Sequence, residues 1–198
     1  MNMFTERVQS TRAEQKRRTT ARITEAAARL FQEHGFHGTT VRQIAAEAGV
    51  SVGAVMAAGD KESLLSLVYD QAIAARIPAP PTVESATSAV DYLSRYFDPF
   101  IDLFTENEEL ARAYFRALTR GRPANAALGG LRTLTESNLT TAMVNAGIPH
   151  ARAGLGAQVM FAGYLGELML LAAGSTDPEQ TADRIRSTAE FITAQGRN

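Results

Sequence analysis

Apolar residues recur at helical spacing along almost the whole chain, and runs of β-branched residues are short. Ile23, Ala27, Leu30 and Phe31 form a stripe at i, i+4, i+7 and i+8, which predicts a helix from about Ala13 to His34. Gly35 and Gly38 bracket the turn that ends it. Thr40 suits the N-cap of a helix over 41–48, Gly49 breaks that helix, and Ser51 suits the cap of a third over 52–58. Asp60 caps a fourth, 61 to about 77, with Leu64, Leu65, Val68, Ala72 and Ile73 as its buried face. Three prolines in 77–82 mark a connector, because proline cannot continue a helix. Beyond it the pattern predicts helices near 83–105, 107–120, 124–146, 150–174 and 178–195, broken at Asn107, Gly121 with Pro123, Gly147 with Pro149, and Gly174 with Pro178. Pro99 should kink the first of these. The expected fold is all-α, with about nine helices. A flexible arm over 1–13 precedes an N-terminal domain over 14–77 and a second helical domain over 78–198.

The segment at about 40–60 has the layout of a helix-turn-helix. Two short helices must cross closely if the second is to lie in a major groove. Ala45 is small enough for the crossing, Gly49 adopts the turn conformation most cheaply, and Ile44, Ala48, Val50 and Val55 supply the apolar faces that pack together.

Here the chain resembles the N-terminal domain of TetR-family transcriptional regulators. The resemblance covers residues 22–65: Ala26, Ala27, Leu30 and Phe31 in an A-A-x-x-L-F run, then G-F-x-G-T-T-V-x-x-I-A-x-x-A-G-V-S from Gly35 to Ser51, then K-E-x-L-L from Lys61 to Leu65. It implies a homodimer that binds a double-stranded DNA operator through paired N-terminal domains. It also implies a C-terminal domain that holds a small-molecule effector and dimerises through its last two long helices. Thr40 and Lys61 stand where the family touches phosphate.

The chain departs from the family where the second short helix ends. The family usually has Tyr there, then His or Tyr, then Phe; this chain has Met56, Ala57, Ala58 and Gly59, and is one residue shorter before Lys61. Met56 cannot donate the hydrogen bond to phosphate that fixes register. Over Val52, Gly53, Ala54, Val55, Met56 and Ala57 no side chain can make a bidentate bond to a base, which leaves thymine methyls and close backbone approach at Gly53. The candidate DNA-binding residues are Thr40, Arg42, Ser51, Val52, Gly53, Ala54, Met56 and Lys61, helped by the arm in a minor groove and by DNA shape. An alternative is an all-helical small-molecule-binding dimer with weak or lost DNA affinity.

Charge sharpens this picture. The net charge is −1, yet residues 1–22 carry six basic residues (Arg7, Arg12, Lys16, Arg17, Arg18 and Arg22) against Glu6 and Glu14. A basic head suits an end of the chain that meets an anion; the other reading is a solvated arm.

In the C-terminal half, Tyr96, Phe97, Phe100, Phe104, Tyr114 and Phe115 can line an apolar effector site closed by Met143, Met160 and Tyr164, or they can be plain core. The apolar helix over 150–174 carries Gly154, Gly156, Gly163 and Gly166 and must bury both sides, which one chain rarely does. Self-association through 150–174 and 178–195 follows, with Gly163, Gly166, Glu167, Leu168, Leu171, Ile185 and Phe191 at the interface. Glu167 needs a partner: an interface arginine, solvent at an edge, or a ligand.

Other chemistry finds little support. The chain has no cysteine, so disulfides and thiolate metal sites are excluded. His34, His37 and His150 are its only histidines, with no third ligand beside the first two, and they read as polar turn residues. Asp98, Asp102, Glu106, Glu108 and Glu109 read as a solvated face. There is no Gly-rich phosphate loop and no G-x-S-x-G, so neither an enzyme nor a cofactor is expected. Residues 1–20 lack a signal-peptide pattern, and Gln158 and Glu167 argue against a membrane span over 155–174. The expected location is cytoplasmic.

Overall fold

The structure, a computed structural model, describes residues 3–79, 88–119 and 124–194; the side chains of 3–11 and 124–129 lie outside the described set. Among the described residues there are helices and no strands. In order they are α1 (Met3–Gly38), α2 (Val41–Ala48), α3 (Val52–Ala58), α4 (Lys61–Arg76), α5 (Ala89–Arg95), α6 (Asp98–Glu106), α7 (Glu108–Thr119), α8 (Ala124–Asn145), α9 (His150–Ala172) and α10 (Pro178–Ala194). The all-α reading of the sequence agrees with this.

Two boundaries differ from the sequence expectation. Met3–Ala13, read as a frayed arm, forms the first part of α1, and no Gly or Pro interrupts the chain before Gly35. Gly35 then adopts φ 70°, which bends the helix end as its lack of a Cβ allows. The helix expected near 83–105 is two helices, α5 and α6, separated by a turn at Tyr96 and Phe97. Pro99 sits in the first turn of α6, where its missing N–H would have no helical partner anyway. Residues 80–87, which hold most of the expected connector, and the Gly121–Pro123 break lie outside the described residues.

The chain divides into two compact units, Met1–Tyr69 and Asp70–Asn198, so the division falls within α4. In the first, α2 packs on α1 and α3, and α3 also touches α1. Ile23, Ala26, Ala27, Phe31, Ile44, Val55, Leu64 and Leu65 form its buried interior.

In the second unit α9 is central, packing against α8, α10, α7 and α6, while α5 packs on α10 and α8. One face of α9 is buried: Ala153, Gly156, Ala157, Met160, Phe161, Tyr164 and Leu168. Gly156 permits this closeness, because a Cβ there would lie 2.7 Å from Ile192 Cγ2 and 3.1 Å from Met143 Sδ. The opposite face, with Leu155, Val159, Gly163, Gly166, Met169 and Leu170, is exposed. At 100° per residue these two sets separate cleanly around one helix. By length and composition, α9 is the one helix among the described residues able to cross a membrane.

Candidate functional site

The helix pair α2–α3 is built by caps as much as by apolar packing. Thr40 Oγ1 accepts from Gln43 N at 3.3 Å, and Thr40 N donates to Gln43 Oε1 at 2.8 Å, a reciprocal capping box. Gly49 ends α2 at φ 62°, and Val50 N then donates to Ala45 O at 3.0 Å. Ser51 caps α3, its Oγ accepting from Ala54 N at 3.1 Å. Ala45 is buried at the crossing, and Val55 is the one buried residue of α3. Val55 therefore anchors α3, and the rest of that short helix is left facing outward.

The outward face of α3 presents Val52 and Met56, 44% and 53% exposed, with Gly53 and Ala57 between them. Arg42 is exposed on α2, and Ala54 is half-buried toward α1. Thr40, Arg42, Ser51, Val52, Gly53 and Met56 thus share accessibility along one helix pair. Thr40 and Ser51 spend side-chain bonding capacity on capping.

Lys61 is engaged differently from the others. Its Nζ donates to Phe36 O at 2.8 Å and Thr39 O at 3.0 Å, and lies 4.4 Å from the Phe36 ring centroid. It ties the start of α4 to the turn after α1, with one N–H to spare. Arg22, counted with the basic head, is likewise committed: its guanidinium donates to Ala48 O and Gly49 O and closes the end of α2. No spacing rule singles out these long-range pairs.

A cleft of about 330 Å³ runs between α1 and α3, with Arg12, Lys16 and Thr19 on one wall and Ala54, Ala57 and Ala58 on the other. The small side chains that break the family pattern at the end of α3 line this cleft. The expectation of a basic arm in a minor groove needs correction here. Arg12 and Lys16 lie on a helix, and a helix about 10–12 Å across does not enter a groove about 6 Å wide.

In the second unit the expected effector residues are mostly packed against one another. Phe97 stacks on Tyr164 at 4.3 Å between centroids, Tyr96 meets Phe97 at 5.3 Å, and Phe104 meets Phe115 at 5.1 Å. Tyr96, Phe97, Phe100, Phe104, Tyr114, Met143, Met160 and Tyr164 are buried, and Phe115 is half-buried. Burial pushes the Tyr164 phenol well above its ordinary pKa, so it stays neutral. Plain core, the second of the two readings open from sequence, describes most of these side chains.

The unit does hold a cavity of about 240 Å³, with Asp70, Ile73, Ala74 and Ile77 on one side and Tyr114, Leu131 and Leu134 on the other. Tyr114 alone among the expected residues lines it. Burial raises the Asp70 pKa, and the Tyr114 hydroxyl, donating to Oδ1 at 3.5 Å, partly counters this. Sequence reasoning missed Asp70, yet a signal was present. Asp70, Ile73, Ala74 and Ile77 share one helical stripe, an acid among apolar residues.

The expected association residues also divide. Leu168, 1% exposed, and Ile185 point into the protomer, a correction that follows from their positions on the buried faces of α9 and α10. Gly163 and Gly166 are exposed, and no atom lies within 4 Å of a Cβ built on either. Leu171 is half-buried, and Phe191 is 67% exposed. Glu167 pairs with Arg184 of the same chain, Oε2 to Nη1 at 3.4 Å. Asp98, Asp102, Glu106, Glu108 and Glu109 are exposed, and Glu106 pairs with Arg76 at 3.3 Å.

Residues 23–66 match the family model described as bacterial regulatory proteins, tetR family. No curated protein matches the chain. Solved structures resemble it over most of its length. A TetR transcriptional regulator from Rhodococcus sp. RHA1 is 18% identical with a TM-score of 0.70, over 92% of this chain and 98% of that one. A TetR regulator from Streptomyces coelicolor is 21% identical with a TM-score of 0.65, over 89% and 98%. Thermus thermophilus FadR, a TetR-family transcriptional repressor in complex with lauroyl-CoA, is 20% identical with a TM-score of 0.66, over 90% and 95%. At such identities the likeness is one of fold. The capped α2–α3 pair at residues 23–66 is thus a tetR-family regulatory domain, carried on a chain with the fold of TetR-family transcriptional regulators.

Proposed function

We propose that this protein is a cytoplasmic, non-enzymatic transcriptional regulator, a repressor that binds a palindromic DNA operator as a homodimer and is released by a small, largely apolar effector. Residues 14–77 form the DNA-binding part and 78–198 the effector and dimerisation part. The single observation that carries the reading is the capped α2–α3 pair, whose one buried anchor, Val55, leaves Val52, Gly53 and Met56 outward. An apolar face of this kind suits contact with thymine methyls, and Gly53 permits close approach of the backbone. Thr40, Arg42, Ser51 and Ala54 flank it, and Lys61 retains one N–H for phosphate. Arg12 and Lys16, displayed on helical α1 beside α3, take the phosphate-contacting role that Met56 cannot fill.

The dimer reading rests on the bare apolar stripe of α9. Leu155, Val159, Met169 and Leu170, with Phe191 on α10, are large apolar side chains left in water. Gly163 and Gly166 between them allow two copies of α9 to approach closely. A two-fold pair matches a palindromic site.

A second reading draws on the same face of α3, which has no side chain capable of bidentate base recognition. It describes an effector-binding dimer without DNA affinity. Selection of source-genome DNA fragments on the purified protein at two salt concentrations separates the two. A recovered palindrome whose binding weakens with salt supports the regulator. Absence of enrichment at both salts, with and without effector, leaves the second reading.

A further inference from the structure

The cavity in the Asp70–Asn198 unit is apolar except at one point. Ile73, Ala74, Ile77, Leu131 and Leu134 supply hydrocarbon, while Asp70 and Tyr114 are the polar side chains on its described wall. Asp70 is half-buried. Its one hydrogen bond is from the Tyr114 hydroxyl, at 3.5 Å, long for an O–H donor to a carboxylate. An ionised carboxylate offers about four lone-pair sites, so most of its bonding capacity is unmet. Other acids here have bases: Glu106 has Arg76, Glu167 has Arg184, Glu136 has Arg132, and Asp91 has Arg186. Among the described residues no cation pairs with Asp70. Desolvation that lifts the Asp70 pKa is relieved by whatever brings a positive charge to it.

We propose that this cavity binds an apolar molecule carrying one cationic nitrogen, a small alkyl or arylalkyl amine, with the nitrogen at Asp70 and Tyr114 and the hydrocarbon against Ile73, Leu131 and Leu134. This deepens the effector reading above and rests on it. A volume of about 240 Å³ is below the usual range of drug-sized sites and selects a short chain or a single ring. A plain hydrocarbon would bury the carboxylate further without a partner, and a carboxylic acid would set two like charges side by side. An amine satisfies the acid and fills the apolar space at once.

The test is calorimetry on the full chain with n-octylamine, 1-octanol and octanoate at neutral pH. A charge-assisted hydrogen bond should make octylamine at least about tenfold tighter than octanol, with octanoate weakest. Asp70→Asn should bring octylamine down to the octanol level and change octanol by less than about twofold. Leu134→Trp, which fills the cavity from its rim, should abolish both, and keeps the test decisive if Asp70→Asn fails to fold. Octanoate binding as tightly as octylamine, an amine preference that survives Asp70→Asn, binding that survives Leu134→Trp, or no binding of any probe would each overturn the proposal. A parallel DNA-release assay separates it from the regulatory reading. Octylamine that occupies the cavity and leaves DNA bound refutes effector control while the amine site stands. Operator binding by a chain that takes no probe refutes the site while DNA recognition stands.

Discussion

If α9 dimerises through its bare face, Val159→Lys with Met169→Lys should give a folded monomer. Val159 and Met169 are 47% and 51% exposed in the protomer, on the side of α9 away from the core. Full burial of such a side chain stabilises by about 1.5–3 kcal/mol, so with half already covered a partner supplies about 1 kcal/mol at each. Two side chains in each of two copies make about 4 kcal/mol, roughly a thousandfold in Kd. The four lysines add the cost of placing ammonium groups in an apolar contact without counter-ions. Sedimentation velocity should therefore show a monomer at micromolar protein, with the helical circular-dichroism signal and melting transition kept. Leu168→Lys is the contrast. Leu168 is 1% exposed, one position away in sequence and on the opposite side of the helix. Its loss costs about 2–5 kcal/mol in packing alone, a large share of the roughly 5–15 kcal/mol that holds a domain folded. That variant should lose its cooperative transition. A double variant that remains a dimer at micromolar concentration, or a Leu168→Lys protein that is folded and monomeric, would refute this assignment of faces.

Arg12→Ala with Lys16→Ala should weaken DNA binding at all sequences and reduce the slope of log K against log salt by about 2, since each phosphate contact contributes about 0.9; an unchanged slope in filter binding removes α1 from the interface. Lys61→Met should destabilise the protein by about 1.5–3 kcal/mol in urea titration, through loss of its charged hydrogen bonds to Phe36 O and Thr39 O; no change in stability would make the staple idle. Gly156→Ala should cost about 1–3 kcal/mol, because the new methyl meets Ile192 and Met143; the same change at Gly163, which has open space, should leave protomer stability unaltered. Asp70→Asn should raise stability at neutral pH. Burial lifts the folded-state pKa of Asp70 above its unfolded value, so its carboxylate lowers stability as pH rises through that folded pKa. The gain should vanish as pH falls below the ordinary carboxylate range, and a variant less stable than the parent at pH 7 would contradict this.

Much of the architecture was legible in the sequence because its signals are local. Thr40, Ser51 and Asp60 announce helix starts by oxygens within reach of N–H groups three residues on, and Gly49 announces a left-handed turn. Helical period and proline placement located every later helix but the α5–α6 break. There Pro99 marks the start of a new helix, where a kink within one was expected. The extra ten residues of α1 were missed because a polar stretch without caps or a stripe carries no signal of where order begins.

The candidate sites were less legible, and the reason is geometric. Sequence put seven residues on the association surface, and the 100° step of a helix divides them: Leu168 turns inward and Phe191 outward. Apolar character alone does not choose the side. Nine aromatic and methionine residues were candidates for an effector cavity, and only packing determined that Phe97 lies on Tyr164 while the space opens beside Tyr114 and Asp70. Lys61 and Arg22 found backbone carbonyls far along the chain, which depends on how α1, α2 and α4 come together. The sequence by itself determined the helices, their caps and the helix-turn-helix, because each rests on contacts between residues a few positions apart. Which apolar faces are buried, where a cavity remains and which cations stay free rest on contacts between residues far apart in sequence, and only the tertiary structure decided them.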